Sequence, residues 1–204
     1  MKRDRIALFG GSFNPPHIGH LGVASAAATQ FQLDEVRWIP NYVSPTKMLV
    51  PAIDAVHRLE MTKLVVANHP SFSVWNVEIE RGGTSYTVDT LRTARDHHPD
   101  VDWFLLMGED AYSSLDSWRE PETIRKFARM IVYPRDQGVR AAHADQEAHE
   151  DQASPEDILR LQGDFIDIAS SRIRELFSTG SDATDLLPKT VEEYIRSHGL
   201  YQND

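Results

Sequence analysis

The chain has 204 residues, 41% hydrophobic and 25% charged, the balance of a globular domain rather than a disordered or fibrous chain. Its formal charge of −10, from 31 acidic against 21 basic residues, argues against nucleic acid as a partner, because phosphate contacts dominate such affinity. No run of eighteen apolar residues occurs, the four-residue apolar stretch at 6–9 is too short for a secretory signal, and cysteine is absent. No membrane partner, disulfide or thiolate metal site is therefore expected, and a reducing cytoplasm fits.

Apolar runs bounded by turn residues recur at 6–9, 36–39, 72–77, 103–107 and 130–133, and their near-continuous hydrophobicity predicts strands buried on both faces. Helix-like stretches at 21–31, 52–67, 87–97 and 121–128 alternate with them. That alternation is the mark of an α/β fold: a doubly wound parallel sheet, Rossmann-like, with helices on both faces. One domain over 1–204 is expected, with an acidic surface excursion at 136–157 that carries His143 and His149. Beyond it, residues 164–168 predict a short strand ending at Ile168, and Ser170 or Ser171 predicts the N-cap of a helix. Arg174 lies about one turn into that helix, where a guanidinium can pair with phosphate oxygens. The last helix-like stretch, 191–198, places Val191, Tyr194 and Ile195 for packing.

The segment that carries the chemistry is GGSFNPPHIGH at 10–20, directly after the first predicted strand. Gly10 and Gly11 project nothing that would block a close ligand, and Asn14-Pro15-Pro16 forces a turn. His17 and His20 stand three apart at the opening of a helical stretch and so share one face. Two imidazoles beside the N–H groups of a helix start make a site for phosphate oxygens. Neither the Walker spacing nor the dinucleotide Gly-x-Gly-x-x-Gly spacing is present.

These residues resemble the signature of the nucleotidyltransferases related to class I aminoacyl-tRNA synthetases, in which the paired histidines contact ATP phosphates. Further stretches, RGGTSYTVDTL at 81–91, Gly108-Glu109-Asp110 with Trp118, residues 168–174 and VEEYIRSHGLY at 191–201, resemble bacterial nicotinate-mononucleotide adenylyltransferases. The resemblance spans nearly the whole chain apart from the acidic excursion. It implies adenylyl transfer from ATP to nicotinate mononucleotide, with Mg²⁺ held mainly through the phosphates, and leaves a homo-oligomer open. It implies catalytic roles for His17, His20, Lys47 and Arg174. ATP contacts are implied for Gly10, Gly11, Ser12, Phe13, Gly108, Asp110, Ser170 and Ser171. Mononucleotide contacts are implied for Asn41, Lys47, Thr84, Ser85, Tyr86, Thr87 and Trp118. The chain departs from the family at Ala169, where serine is usual, at Ser171 for threonine, and at Glu109 for alanine. Lys47 follows Pro45-Thr46 where Pro-His-Lys is common. Phosphopantetheine adenylyltransferases share the first motif but not the stretches at 81–91 and 191–201. A non-catalytic nucleotide sensor on the same fold is the alternative from another class.

Overall fold

A computed structural model describes residues 3–45, 53–134, 158–163, 165–166 and 168–202. Lys47 and the acidic stretch 136–157 lie outside the described residues. The strands are β1 (Arg5–Gly11), β2 (Glu35–Pro40), β3 (Phe72–Val74), β4 (Asp102–Gly108), β5 (Arg129–Tyr133) and β6 (Ile158–Arg160). They form one parallel sheet in the order β3-β2-β1-β4-β5-β6. The order runs outward in both directions from β1, so the switch point lies between β1 and β4, where parallel sheets bind ligands beyond their carboxyl ends.

Side chains alternate across the strands and feed two cores. Ala7, Phe9, Phe104, Leu106 and Ile131 face one side, where α1 (Ile18–Gln30), α2 (Ala55–Val66), α7 (Ser170–Ser178) and α8 (Lys189–Ser197) cover them. Ile6, Leu8, Trp103, Leu105 and Met130 face the other, covered by α4 (Thr87–His97) and α6 (Pro121–Phe127). Helices α3 (Val77–Arg81) and α5 (Glu109–Ser113) are single turns at strand ends. The expected doubly wound arrangement is thus present. Among the described residues, no helix is long and apolar enough to cross a membrane.

Two elements differ from expectation. The third strand stops at Val74, because Asn76 opens α3; Trp75 N still donates to Trp38 O at 2.9 Å before the chain turns away. The sixth strand is Ile158–Arg160, paired with β5 from Met130 to Val132, and the described residues of the expected strand, Phe165, Ile166 and Ile168, belong to none. Phe165 and Ile168 satisfy their apolar character by packing, partly buried, against the core on the α1 and α7 side of the sheet, Phe165 with its ring 6.5 Å from that of Tyr133. Apolar alternation there marks burial without a ladder.

Candidate functional site

Beyond the carboxyl end of β1 the chain makes a braced turn. Phe13 adopts φ 46°, a left-handed conformation costly for a non-glycine residue, and its burial offsets that cost. Its ring meets Trp38 at 5.1 Å, His20 at 5.3 Å and Phe9 at 5.6 Å between centroids. A Cβ at Gly11 would lie 3.0 Å from the Phe13 ring, whereas a Cβ at Gly10 would meet nothing within 4 Å. Gly11 is therefore needed by Phe13 rather than by a ligand's bulk, and Gly10 alone leaves open space.

The two histidines build the helix start. His17 is the N-cap of α1; its Nδ1 accepts from His20 N at 3.4 Å, and His20 Nδ1 accepts from His17 N at 3.3 Å. This reciprocal arrangement is a capping box made of imidazoles. Because both Nδ1 atoms accept, each neutral ring carries its proton on Nε2, the edge suited to a phosphate oxygen. The rings lie 3.7 Å apart, and helix geometry leaves Ile18 and Gly19 N–H without intrahelical acceptors. Gly19 is required: a Cβ there would stand 3.0 Å from Ile166 O and 3.1 Å from His17 Nδ1.

The start of α7 packs onto this turn. Arg174 Nη1 donates to Asn14 O at 2.8 Å and Ser170 Oγ to Pro15 O at 2.9 Å. The expected serine cap of α7 is absent. Ala169 is the N-cap and offers no side-chain acceptor, because Ser170 stands inside the helix with its hydroxyl committed to Pro15. Ser171 lies exposed in the first turn. Tyr201 completes the brace, its hydroxyl donating to Asn14 Oδ1 at 2.7 Å; burial pushes that hydroxyl's pKa up, so it stays a donor.

The adjacent carboxyl end of β4 brings Gly108 beside β1, followed by Glu109 and Asp110 in the first turn of α5. Glu109 pairs with Arg160 at 2.8 Å, at a cavity of about 260 Å³ lined also by Val132, Leu161 and Gly163. Its length over the usual alanine thus serves an ion pair between the start of α5 and β6.

On the other flank, Gly82 and Gly83 take φ 67° and 69°, turning the chain from α3 into α4. Ser85 is buried: its N donates to Val43 O and its Oγ accepts from Tyr42 N, both at 2.9 Å. Thr84 bridges to Val43, Tyr86 is the N-cap of α4, and Thr87 opens it. Trp118 is half-buried, its Nε1 donating to Ser114 Oγ at 3.2 Å, and the neighbouring Arg119 guanidinium lies 4.8 Å over the Tyr86 ring. The tryptophan loop therefore abuts the 84–87 turn.

Three residues here escape sequence reading. Arg58 is buried and donates to Ser12 O at 2.8 Å, Tyr42 O at 2.9 Å and Asn41 Oδ1 at 3.1 Å. Asn41 also donates from Nδ2 to Ser12 Oγ at 3.3 Å. Glu78 is buried beneath the 84–87 turn, accepting from Thr90 Oγ1 at 2.6 Å and bonded to the Ser85 side chain, and burial raises its pKa. The third is Tyr201. The signal for Arg58 was its place on the inward stripe of α2, with Ala55, Thr62 and Val65.

A paired-histidine turn at the switch point of a parallel sheet defines a nucleotidyltransferase, and the cytidylyltransferase-like family model matches residues 8–176. Curated relatives narrow the class. A protein of Salinibacter ruber named "Probable nicotinate-nucleotide adenylyltransferase" is 39% identical over 197 residues, with 97% of both chains covered. One of the same name from Synechococcus sp. strain JA-2-3B'a(2-13) is 39% identical over 202 residues, with 98% of both covered. The chain belongs to the nicotinate-nucleotide adenylyltransferase family. Two structures of the Plasmodium falciparum nicotinic acid mononucleotide adenylyltransferase, one complexed with APC and one with NaAD, share the fold. Each has a TM-score of 0.73 and 20% identity, with 98% of both chains covered.

Proposed function

We propose that this protein transfers the adenylyl group of ATP to nicotinate mononucleotide, with ATP along the 10–20 turn and the mononucleotide against the 84–87 turn. The products are nicotinate adenine dinucleotide and pyrophosphate. The observation that carries the reading is the convergence, at one switch point, of the His17–His20 capping box, Arg174 and Ser170 on a single turn.

The mononucleotide's 5′-phosphate oxygen attacks the α-phosphorus, the new P–O bond forms, and the bond to the β-phosphate oxygen breaks in line. No protein nucleophile is needed, so the chain contributes position and charge. His17 and His20 donate from Nε2 to the α-phosphate and the departing pyrophosphate. The N–H groups of Ile18 and Gly19 and the positive end of α1 add to that field. Arg174 stands at the same turn, and Lys47 is assigned to the phosphates as well. Gly10, Gly108 and Asp110 border the nucleotide's path beyond β1 and β4.

The described residues hold no cluster of three His, Asp or Glu able to cage a metal. Mg²⁺ prefers water and phosphate oxygens to protein cages, so it fits as a companion of the triphosphate, whose charge it neutralises when bound. The cytoplasm, where ATP is made and used, is the compartment proposed for the reaction.

Discrimination falls to the 84–87 turn. Thr84, Tyr86 and Thr87 present N–H groups and the positive end of α4 to a pyridine carboxylate, while Trp118 offers a flat face to the cationic ring. An amide in place of the carboxylate loses the charge and mismatches a donor, at a cost of about 1–3 kcal/mol. Pyrophosphate release with each mononucleotide is therefore expected to give kcat/KM at least about tenfold higher for the nicotinate form. Equal values, or a preference for the amide, would overturn the substrate assignment.

A further inference from the structure

Arg58 presents an unusual local balance. Its guanidinium is buried, and its hydrogen-bond acceptors among the described residues are neutral oxygens: Ser12 O, Tyr42 O, Asn41 Oδ1 and, at 3.4 Å, Ile53 O. A carboxylate bonded to the guanidinium would be the ordinary way to stabilise a buried cation, but the Asp54 carboxylate acts on Arg58 only through its field. Here the planar fork is instead spent on joining separate segments. Ser12 belongs to the turn assigned to ATP. Asn41 and Tyr42 belong to the turn after β2, and Asn41 N also donates to Gly11 O at 3.0 Å.

The chain of contacts continues past Tyr42. The peptide whose carbonyl Arg58 holds lies one residue from the N–H that donates to Ser85 Oγ, and Ser85 N returns a bond to Val43 O. Ser85 is in turn bonded to Glu78, which holds Thr90 of α4. A continuous hydrogen-bonded path therefore runs from Ser12 through Arg58, Tyr42 and Ser85 to Glu78. Ser12 and Ser85 on that path belong to the two turns that the adenylyl-transfer reading assigns to the two substrates, and Glu78 anchors the second from α3.

We infer that Arg58 is a positioning residue that sets the separation and angle of the ATP and mononucleotide half-sites through the Tyr42–Ser85 link. The inference rests on the proposed function, since it needs both turns to hold substrate. In-line transfer demands close alignment of attacking oxygen and phosphorus, and a misplacement of about 1 Å costs about 10²-fold in rate. Each substrate's own contacts survive when the link slackens, so the defect falls on kcat.

The test is steady-state pyrophosphate release by Arg58→Lys, with ATP and nicotinate mononucleotide titrated separately and folding checked by circular dichroism. Lysine keeps the charge but cannot bridge the same acceptors. The expected result is kcat at least tenfold lower, with both KM values within about threefold of wild type. A fall in Tm with kcat unchanged means a merely structural role and overturns the inference, as does a defect confined to one KM. Ser85→Ala breaks the same path at its other end without touching a buried charge, so it decides the matter if Arg58→Lys does not fold. It should lower kcat several-fold, and an unchanged kcat overturns the inference. Where both singles fold, the double variant should lose no more than the worse single, because they interrupt one path; multiplicative losses overturn it. Wild-type protein releasing no pyrophosphate would instead sink the proposed function.

Discussion

The two strand-to-helix turns that meet at the switch point solve one problem in opposite ways. At α1 the cap is built from the residues proposed to bind phosphate, His17 and His20 serving each other's backbone N–H. At α7 the cap is missing, and Ser170 and Arg174 are spent on the neighbouring turn. The first helix is locally stable and externally braced; the second is locally weak and does the bracing. On the proposed function, phosphate binding and helix capping thus fall on the same side chains at α1, whereas at α7 the side chains brace another turn and leave their own helix uncapped.

Removing either imidazole strikes both properties at once. His17→Ala and His20→Ala are each expected to lower turnover about 10²–10³-fold, the usual loss of one preorganised donor. Each should also cost about 0.5–2 kcal/mol of stability, because a cap is lost with it. Kinetics at a temperature well below Tm, beside denaturant unfolding, separates the two. Variants that turn over within a few-fold of wild type would remove the phosphate assignment.

At α7 the same exercise removes a brace rather than a cap, because Arg174 Nη1 also donates to Asn14 O. Arg174→Ala removes a charged donor from the turn proposed to hold ATP, an interaction worth about 1.5–3 kcal/mol, so the ATP KM should rise about tenfold or more. The mononucleotide KM should hardly move. A defect confined to the mononucleotide would reverse the placement of the two substrates.

Tyr201 sharpens the contrast from a third element. Tyr201→Phe leaves buried Asn14 Oδ1 without its donor and is expected to cost about 1–3 kcal/mol. The folded-state pKa of this hydroxyl is raised, so its stabilisation is complete below the unfolded value near 10.0 and is lost as pH rises toward the folded one. The Tm gap between wild type and Tyr201→Phe should be constant from pH 7 to 9 and shrink by pH 11. A gap that widens in alkali would contradict the assigned donor. The smallest effect belongs to Ala169→Ser, which returns a hydroxyl to an N-cap already in extended conformation, φ −95° and ψ 128°. A gain of about 0.5–1 kcal/mol with unchanged kinetics is expected from thermal unfolding. A loss of activity would show that the α7 cap and the site are linked after all.

The sheet was readable because its strands are buried on both faces, and the runs at 6–9, 103–107 and 130–133 fall within β1, β4 and β5. Periodicity misled where burial occurs without pairing. Phe165 and Ile168 look like strand residues but pack against the core without pairing, while the short β6 at 158–160 carries too few residues to show alternation. The histidine turn was visible as a motif, yet its capping box was not, since imidazoles seldom serve as caps. Arg58 and Glu78 were hidden because charged residues in a helix read as solvated. Arg58 finds its closest partners in turns 16 to 46 residues away and Glu78 in the next turn and helix, and composition carries no trace of those contacts.

Asn14 sits near the start of the chain, and the groups that hold its two oxygens, Arg174 and Tyr201, arrive 160 and 187 positions later. A ribosome extends its product by about 5–20 residues per second, so Tyr201 follows Asn14 by roughly 10–40 s. During that interval β1 and α1 have been synthesised, histidines included, but the turn between them lacks its braces. The earliest motif in the sequence is therefore among the last parts of the molecule to acquire its working shape.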